Sequence, residues 1–329
     1  MNTQQRNRLI VTGSLIVLLI AASVIFGPHV LLVALAALVT SFVIELLNSQ
    51  LRKEKFDPTT FSITPLIITL MTTPSIVSDF WMVIVATAFG VFFAKTIFGG
   101  EGKNIFNPAA LGLVFIALAF PVQVNRFLDP ITKIVDPATF ATIFKNTPAA
   151  IVSSTSLVDL LMGQYAGAMG TTFKLGILLL GLVLMILKIS DWKIPATFLG
   201  TYYLFSLLKF LLSGMGGDSF LYALYSVLMG HLLFVAMFMA TDPQTQPLYT
   251  KGRIIYGVLL GFVSWIIQNT WLFNPSAPNT EGTIYAILFM NAMTGLIDVW
   301  TTPKVKDIPL LEEVEAWKNI YKWCYSLLS

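Results

Sequence analysis

Cysteine is almost absent from this chain: one residue, Cys324, among 329. A single thiol cannot close an intrachain disulfide, and it cannot hold an iron–sulfur cluster, which takes about four thiolates. Histidine is nearly as scarce, with only His29 and His231, which excludes a multi-haem bundle. Charge is low as well. Asp, Glu, Lys and Arg make up 11% of the residues, against about 25% in soluble domains. The net charge of +3 is small and scattered, so no nucleic-acid footprint is present. If electrons pass through such a chain, their carrier is organic or is contributed at a subunit interface.

Apolar residues fill the space left by charge. They account for 56% of the chain, with 25 Phe and seven Trp suited to lipid-facing and interfacial positions, and the mean hydropathy is +0.79. A helix needs roughly 20 apolar residues to cross the hydrocarbon core. Candidate spans fall at 9–27, 30–50, 59–74, 79–98, 108–122, 172–189, 194–213, 219–241, 253–272 and 282–300. The third and fifth are short and interrupted by Pro or Gly, which is tolerated where neighbouring helices cover the freed backbone groups. The expectation is a single all-α, polytopic membrane domain of about ten transmembrane helices.

Basic residues orient it. With the N-terminus inside, the cytoplasmic segments carry Arg6 and Arg8; Arg52, Lys53 and Lys55; Lys103; Lys188 and Lys193; Lys251 and Arg253; and Lys304, Lys306, Lys318 and Lys322. The opposing short loops, near 28 and at 75–78, 214–218 and 273–281, contain neither Lys nor Arg. This one-sidedness follows the positive-inside rule and predicts both termini in the cytoplasm of a plasma (inner) membrane. The long loop 123–171, expected outside, carries Arg126, Lys133 and Lys145, but long loops obey the rule weakly. Arg6 and Arg8 lead straight into the first span with no small-residue cleavage site, so no cleaved signal peptide is expected.

The halves echo each other. Phe89-Gly90-Val91, continuing to Ile105-Phe106-Asn107-Pro108, is matched 167 residues later by Tyr256-Gly257-Val258, continuing to Leu272-Phe273-Asn274-Pro275. Met71-Thr72-Thr73-Pro74 is likewise close to Met239-Ala240-Thr241-Asp242-Pro243. Five helices per half is an odd number, so a second copy would be inserted upside down, in a 5+5 inverted repeat whose sites form near the midplane. The expected organisation is repeat one at about 9–122, the outer loop at 123–171, repeat two at about 172–300 and a cytoplasmic tail at 301–329. A chance match of a common turn tripeptide is the bland alternative, which the matched spacing disfavours.

Three groups of residues could carry chemistry. The run Gly99-Gly100-Glu101-Gly102-Lys103-Asn104-Ile105-Phe106-Asn107-Pro108 joins spans four and five. Its glycines permit close backbone approach, and the amides of Asn104 and Asn107 suit a heterocycle that presents donors and acceptors on one edge, as flavins and quinones do. The same residues also make an ordinary capped helix start. Three acids, Glu45, Asp242 and Asp298, lie at the cytoplasmic ends of spans, where a carboxylate is costly and frequently functional. Either they reach the aqueous interface or they serve a cation pathway. Asp242, beside the helix-breaking Pro243, is the strongest of the three. In the outer loop, Val152-Ser153-Ser154-Thr155-Ser156-Leu157 sets hydroxyls ahead of an amphipathic stretch, which taken alone is a helix N-cap signal.

Two motifs resemble a known family: the membrane subunits NqrB, of the Na⁺-translocating NADH:quinone reductase, and RnfD, of the Rnf ferredoxin:NAD⁺ oxidoreductase. Phe98-Gly99-Gly100-Glu101-Gly102-Lys103-Asn104-Ile105-Phe106-Asn107-Pro108-Ala109 follows the family's FGGxGxNxxNPA pattern. Phe238-Met239-Ala240-Thr241-Asp242-Pro243 is followed by Lys251-Gly252-Arg253, Tyr256-Gly257, Ile287-Leu288-Phe289-Met290-Asn291 and Leu296-Ile297-Asp298 in the family's order. The resemblance runs from about Glu45 to Pro303, and the chain's length favours the RnfD-like branch. It implies a flavin-carrying subunit of a multi-subunit, cation-coupled oxidoreductase that does not act alone. Asn104 and Asn107, with Gly99 and Gly100 beside them, would lie at a riboflavin site, and Glu45, Asp242 and Asp298 on a Na⁺ or H⁺ pathway. Implied partners are the other subunits and flavoproteins of the complex, a quinone and membrane lipid.

The family's outer-loop motif, D-x-x-S/T-G-A-T, joins FMN to its last Thr. The aligned residues here are Ala149-Ala150-Ile151-Val152-Ser153-Ser154-Thr155, so Thr155 is kept while the Asp, the Ser/Thr, the Gly and the Ala are absent. Covalent FMN on Thr155, loosely bound flavin and no flavin are the three outcomes left open. Two other functions compete: a small-solute channel or secondary transporter on an inverted-repeat fold, and a non-redox membrane anchor for flavoproteins. The pore reading lacks paired histidines, since His29 sits at a span end and His231 has no second histidine near it in sequence.

Overall fold

The structure is a computed structural model, which describes residues 1–73, 80–124, 126–131, 135–136, 152, 155–269 and 282–303. Helices α1 (Thr3–Phe26) and α2 (His29–Arg52) open the chain. Asn2 caps α1 by accepting from the Gln5 amide, and the Gln5 side chain answers as a capping box. Helix α3 (Ile63–Met71) is followed by α4 (Trp81–Gly90), which runs on as a π-helical segment, Val91–Thr96. Helix α5 (Pro108–Ala119) has Asn107 at its cap and proline in its first position. After a two-residue antiparallel ladder, Phe127–Leu128 with Val135–Asp136, the short α6 (Leu157–Met162) leads into α7 (Lys174–Ile186) and α8 (Lys193–Leu212). Helix α9 (Ser219–Leu228), the brief α10 (Leu232–Phe234) with its π-helical continuation Val235–Met239, α11 (Thr250–Gln268) and α12 (Gly282–Thr301) complete the described chain.

Five of these helices, α1, α2, α8, α11 and α12, are long and apolar enough to cross a membrane. The pair Gly216–Leu228 and Leu232–Met239, bent by 65°, makes a sixth if counted as one broken span. Val24, Leu32 and Leu204 are among the large apolar side chains turned outward from these helices, as expected where the surrounding solvent is hydrocarbon. The protein is therefore a helical, multi-pass membrane protein. Each expected span contains a helix, but several are not full crossings. Helix α3 has nine residues and α5 has 12, about 14 and 18 Å at 1.5 Å per residue, short of a hydrocarbon core of roughly 30 Å. Thr72 ends α3 in an extended conformation, and Phe120 ends α5 ahead of Pro121.

The short pieces lie in the interior. Every residue of α3 from Thr64 to Met71 is buried, as is every residue from Leu232 to Ala240. Their exposed backbone ends would be costly inside a bilayer without partners, and the structure supplies them. The carbonyls of Leu70 and Thr72 accept from the amides of Gly170 (2.7 Å) and Met169 (2.9 Å). At the bend between α9 and α10, where Gly230 takes a left-handed φ of 62°, its carbonyl accepts from the fully buried Lys174 ammonium at 2.6 Å. Displaced by the 167-residue offset of the sequence echo, α1, α2, α3 and α4 fall on α7, α8, α10 and α11, and α5 reaches the first turn of α12. The second Phe-Asn-Pro, at 273–275, lies outside the described residues, as does the tail from 304 with Cys324.

Helices α4 and α5 pack backbone against backbone. A Cβ on Gly90 would collide with the Pro108 carbonyl oxygen, and one on Gly112 with the Ala86 carbonyl oxygen. Gly90→Val should therefore destabilise the detergent-solubilised protein by at least about 1–3 kcal/mol, the usual cost of overpacking. Gly13→Ala, where a Cβ meets nothing within 4 Å, should leave the melting temperature unchanged or raise it. Thermal melting followed by size-exclusion chromatography checks both.

Candidate functional site

One end of the bundle gathers a cluster of buried charge. Lys95, in the π-helical segment after α4, is buried among three acceptors: Glu45 Oε1 at 2.8 Å, Glu101 Oε2 at 2.5 Å and the Thr60 carbonyl at 3.0 Å. All three ammonium protons are thereby used, as a buried lysine requires. Glu45 comes from the inward face of α2, and its second oxygen accepts from the Thr60 hydroxyl at 2.5 Å. Glu101 arrives on a turn in which Gly99, Gly100 and Gly102 all adopt positive φ, at 114°, 94° and 85°, a run of conformations that only glycine takes without strain. Its other oxygen meets Arg8 Nε at 3.5 Å and the Gln244 amide. Arg8 in turn reaches Asp57 at 3.2 Å. Burial pushes the Asp57 carboxyl up, but hydrogen bonds from the Thr59 amide and hydroxyl, with Gln5 and Arg8, outweigh it and hold the group below the ordinary carboxylate value.

Two cavities meet at this cluster. The first, about 130 Å³, is lined by Arg8, Lys95, Glu101, Asn104, Asn107 and Asp242 among others. The second, about 200 Å³ and more polar, is lined by Glu45, Asp57, Thr60, Lys95, Gly100 and Glu101 among others. Lys95 and Glu101 line both.

The residues singled out from the sequence divide accordingly. Asn104 and Asn107 share the first cavity with Asp242. Asn107 Oδ1 accepts from the amides of Ala109 (3.0 Å) and Ala110 (3.1 Å), so it is a helix cap whatever else it does. Its own backbone N–H donates to Asn291 Oδ1 at 2.9 Å, and the Asn291 amide donates to the Tyr256 hydroxyl at 3.3 Å, which ties α5 to α12 and α11. Asn104, only 5% exposed, spends its amide on the Phe106 carbonyl at 3.4 Å and leaves Oδ1 buried without a partner. Gly99 and Gly100 line the other cavity and serve the turn that delivers Glu101.

Asp242 follows the second π-helical segment, accepts from the Gln244 amide at 3.1 Å and meets the Thr245 hydroxyl at 3.4 Å. Burial pushes its carboxyl up to about 6, helped by the nearby charge of Glu101. Asp298 lies in neither cavity; it accepts from the Leu248 amide at 2.9 Å and braces the turn before α11. Thr155 stands apart from this cluster, its carbonyl accepting from the Tyr225 hydroxyl at 2.9 Å. Ser156, the next residue, caps α6 in a capping box with Asp159, so the hydroxyl-rich run does contain an N-cap. Residues 149–151 and 153–154 of the aligned attachment stretch lie outside the described residues. Among the described residues, no three His, Cys, Asp or Glu side chains converge as a metal-ligand set.

Sequence reasoning missed Lys95, Gln244 and the second role of Arg8. Lys95 was detectable: a lysine inside the apolar run Val91-Phe92-Phe93-Ala94-Lys95 is as anomalous as the acids weighed at span ends. Gln244 carries no comparable signal.

A multi-pass helical protein with broken inner helices and a buried ionic cluster between two cavities has the construction of a membrane protein that handles charge. The chain belongs to the NQR2, RnfD, RnfE family, whose model matches residues 1–307. It is 29% identical over 317 residues to the D component of the ion-translocating oxidoreductase complex of Erwinia tasmaniensis, covering 85% of this chain and 87% of that protein. It is 32% identical over 260 residues to the B component of the Na(+)-translocating NADH-quinone reductase of Azotobacter vinelandii, covering 77% of this chain and 62% of that protein. The corresponding reductase component of Ectopseudomonas mendocina is 33% identical over the same length, with the same coverage of both chains.

Asn291→Leu removes the acceptor of the buried Asn107 N–H and should destabilise the protein by about 1–3 kcal/mol. Asn291→Asp, which keeps an acceptor there, should lose less. Comparing the two melting temperatures in detergent checks the assignment.

Proposed function

We propose that the chain is the flavin-containing membrane subunit of an Rnf/NQR-type complex, which passes electrons across a plasma (inner) membrane coupled to the movement of Na⁺ or H⁺. The observation that carries this reading is the first cavity, lined by Asp242 and by Asn104, whose buried Oδ1 has no partner. A buried acceptor without a donor costs about 1–3 kcal/mol, and a ring edge bearing an N–H or a ribityl hydroxyl would satisfy it. The cavity is small beside the 300–1,000 Å³ or so of most ligand sites, so it suits the polar edge of such a ring and not the whole molecule. Bound there, a flavin would supply the redox chemistry. Asn104 would accept its hydrogen bond, Asn107 would fix the turn that aims Asn104, and Asp242 would hold a proton or a cation beside it.

Orientation belongs to the same reading. Arg8, Lys53, Lys55, Lys103, Lys193 and Arg253 flank the ends of helices at the ionic cluster's end of the chain path, which the positive-inside rule assigns to the cytoplasm. Thr155 then faces outside, as the covalent FMN candidate, and two flavins at opposite faces would give electrons a path through the bilayer. The correspondence of α1–α5 with second-half helices supports a ten-helix, 5+5 inverted repeat with the boundaries read from the sequence. Glu45 joins Asp242 on the cation path through the second cavity, and Asp298 supports it by holding the Leu248 turn. The subunit would act only with its companion subunits and flavoproteins, with a quinone as one candidate redox partner.

Purification with its companion subunits and a flavin transferase tests this directly. The preparation should show visible flavin absorbance, and denatured bands should fluoresce if FMN is covalent. A colourless preparation rejects the electron-carrier reading. Thr155→Val should abolish in-gel fluorescence, whereas Asn104→Leu should lower only the flavin extracted without covalent linkage.

The cation role has its own signature. Because burial raises the Asp242 carboxyl to about 6, the proton occupies it below that pH and the negative charge is present above. Apparent Na⁺ affinity for stimulated electron transfer should therefore fall as pH drops through about 6. Asp242→Asn should flatten that dependence, and a pH profile identical to wild type would exclude Asp242 from the path.

A further inference from the structure

The two cavities share one charged contact, Lys95 with Glu101. Lys95 and Glu101 line both spaces; Glu45 and Asp57 line only the second, and Asn104 and Asp242 only the first. A cation that moves from one space to the other along their shared lining meets the Lys95 ammonium, already seated between Glu45 (2.8 Å) and Glu101 (2.5 Å). Two like charges at such separations cannot share a low-dielectric site, so passage requires the ammonium to leave at least one carboxylate.

The parts of the contact differ in freedom. Glu45 is held by α2 and by the Thr60 hydroxyl, and it is 8% exposed. Glu101 is 22% exposed and rides on a turn of positive-φ glycines, with open space around Gly102. The lysine stem itself is four carbons long and flexible. The charged lining of the two spaces, Arg8, Lys55, Lys95 and Lys103 against Glu45, Glu54, Asp57 and Glu101, is balanced before Asp242 ionises, so an ionised Asp242 leaves one negative charge for a mobile cation.

We propose that Lys95 is a tethered cation that closes the passage between the two cavities, and that a mobile cation opens it by displacing the ammonium from Glu101. This deepens the cation-coupled reading above and rests on it for its physiological meaning. Lys95 is a positioning residue under this proposal: it blocks and is displaced, and it touches no electron carrier.

The test uses the assembled complex in proteoliposomes carrying Na⁺-sensitive and pH-sensitive dyes, with NaCl against choline chloride and no electron donor present. Wild type should hold a Na⁺ or proton gradient, whereas Lys95→Met should leak it. With donor added, the half-saturating Na⁺ concentration for electron transfer should fall about tenfold in Lys95→Met, within the range of typical coupling effects. Lys95→Arg should remain tight, because it keeps the charge. The double variant Lys95→Met with Glu45→Gln restores the local charge balance and should still leak, which separates the loss of a plug from misfolding. Assembled Lys95→Met that holds its gradient with unchanged half-saturation overturns the proposal. So does failure of both the single and the double variant to assemble, which would assign Lys95 a purely structural role. Wild-type complex without cation-stimulated electron transfer would overturn the functional reading alone, while the leak comparison would still decide the role of Lys95.

Discussion

A buried ammonium dictates the arrangement of this end of the molecule. Lys95 is carried on an otherwise apolar helix, and its position in the sequence gives it no easy route to water. An ammonium so placed must find an acceptor for each of three protons, and breaking such a pair commonly costs about 3–5 kcal/mol. That single demand recruits α2 through Glu45, the segment after α2 through the Thr60 carbonyl, and the glycine turn after α4 through Glu101. Glu101 then recruits α1 through Arg8 and the segment after the second π helix through Gln244. Elements far apart in sequence are held together here by charge as well as by apolar contact, which alone gives little net preference between helices surrounded by lipid tails.

The glycine run acquires its meaning from this constraint. Read from sequence, Gly99 and Gly100 suggest room for a cofactor to approach the backbone. In the structure their positive φ values turn the chain so that Glu101 meets Lys95, and the buried amide oxygen without a partner belongs to Asn104, three residues after Glu101. A β-carbon at Gly99 would be strained by its φ of 114° and would lie 2.8 Å from the Lys103 side chain. The same short segment thus builds the ionic wall with its first half and the mouth of the neighbouring cavity with its second.

Much of the fold was legible because its signals are local. Long apolar runs marked α1, α2, α8, α11 and α12; Asn107-Pro108 marked the start of α5; the hydroxyl-rich run ahead of Leu157 signalled the cap of α6, which the structure places on Ser156. What escaped depends on contacts that no window of sequence contains. Helix α3 reads as a span from composition, yet it stops after nine residues because the 169–170 backbone satisfies its last carbonyls. The two π-helical segments carry no residue signature, although each delivers a charged group to the cluster region, Lys95 within the first and Asp242 just past the second. Such π insertions are frequent at functional positions because they rotate the following side chains off the regular helical face. Lys95 itself was visible as an anomaly, but a search limited to acids passes over the cation that neutralises them.

The two asparagines of the motif show how one pattern divides its labour. An asparagine side chain offers one carbonyl and one amide group. Asn107 commits its carbonyl to the amides of Ala109 and Ala110, and its own N–H to Asn291, so the turn before α5 is fixed from both sides. Asn104, which lines the cavity, commits its amide to the Phe106 carbonyl and leaves its oxygen buried without a partner. A ligand that brought a hydrogen-bond donor to Oδ1 would satisfy it, and one bearing only acceptors would leave it desolvated and unpaired. Since Asn104 and Asp242 line the same small space, a ligand held by the first would sit within the field of the second. A change in that ligand's charge would then alter how strongly Asp242 keeps its proton or cation, which is the physical form that coupling between an electron carrier and an ion must take.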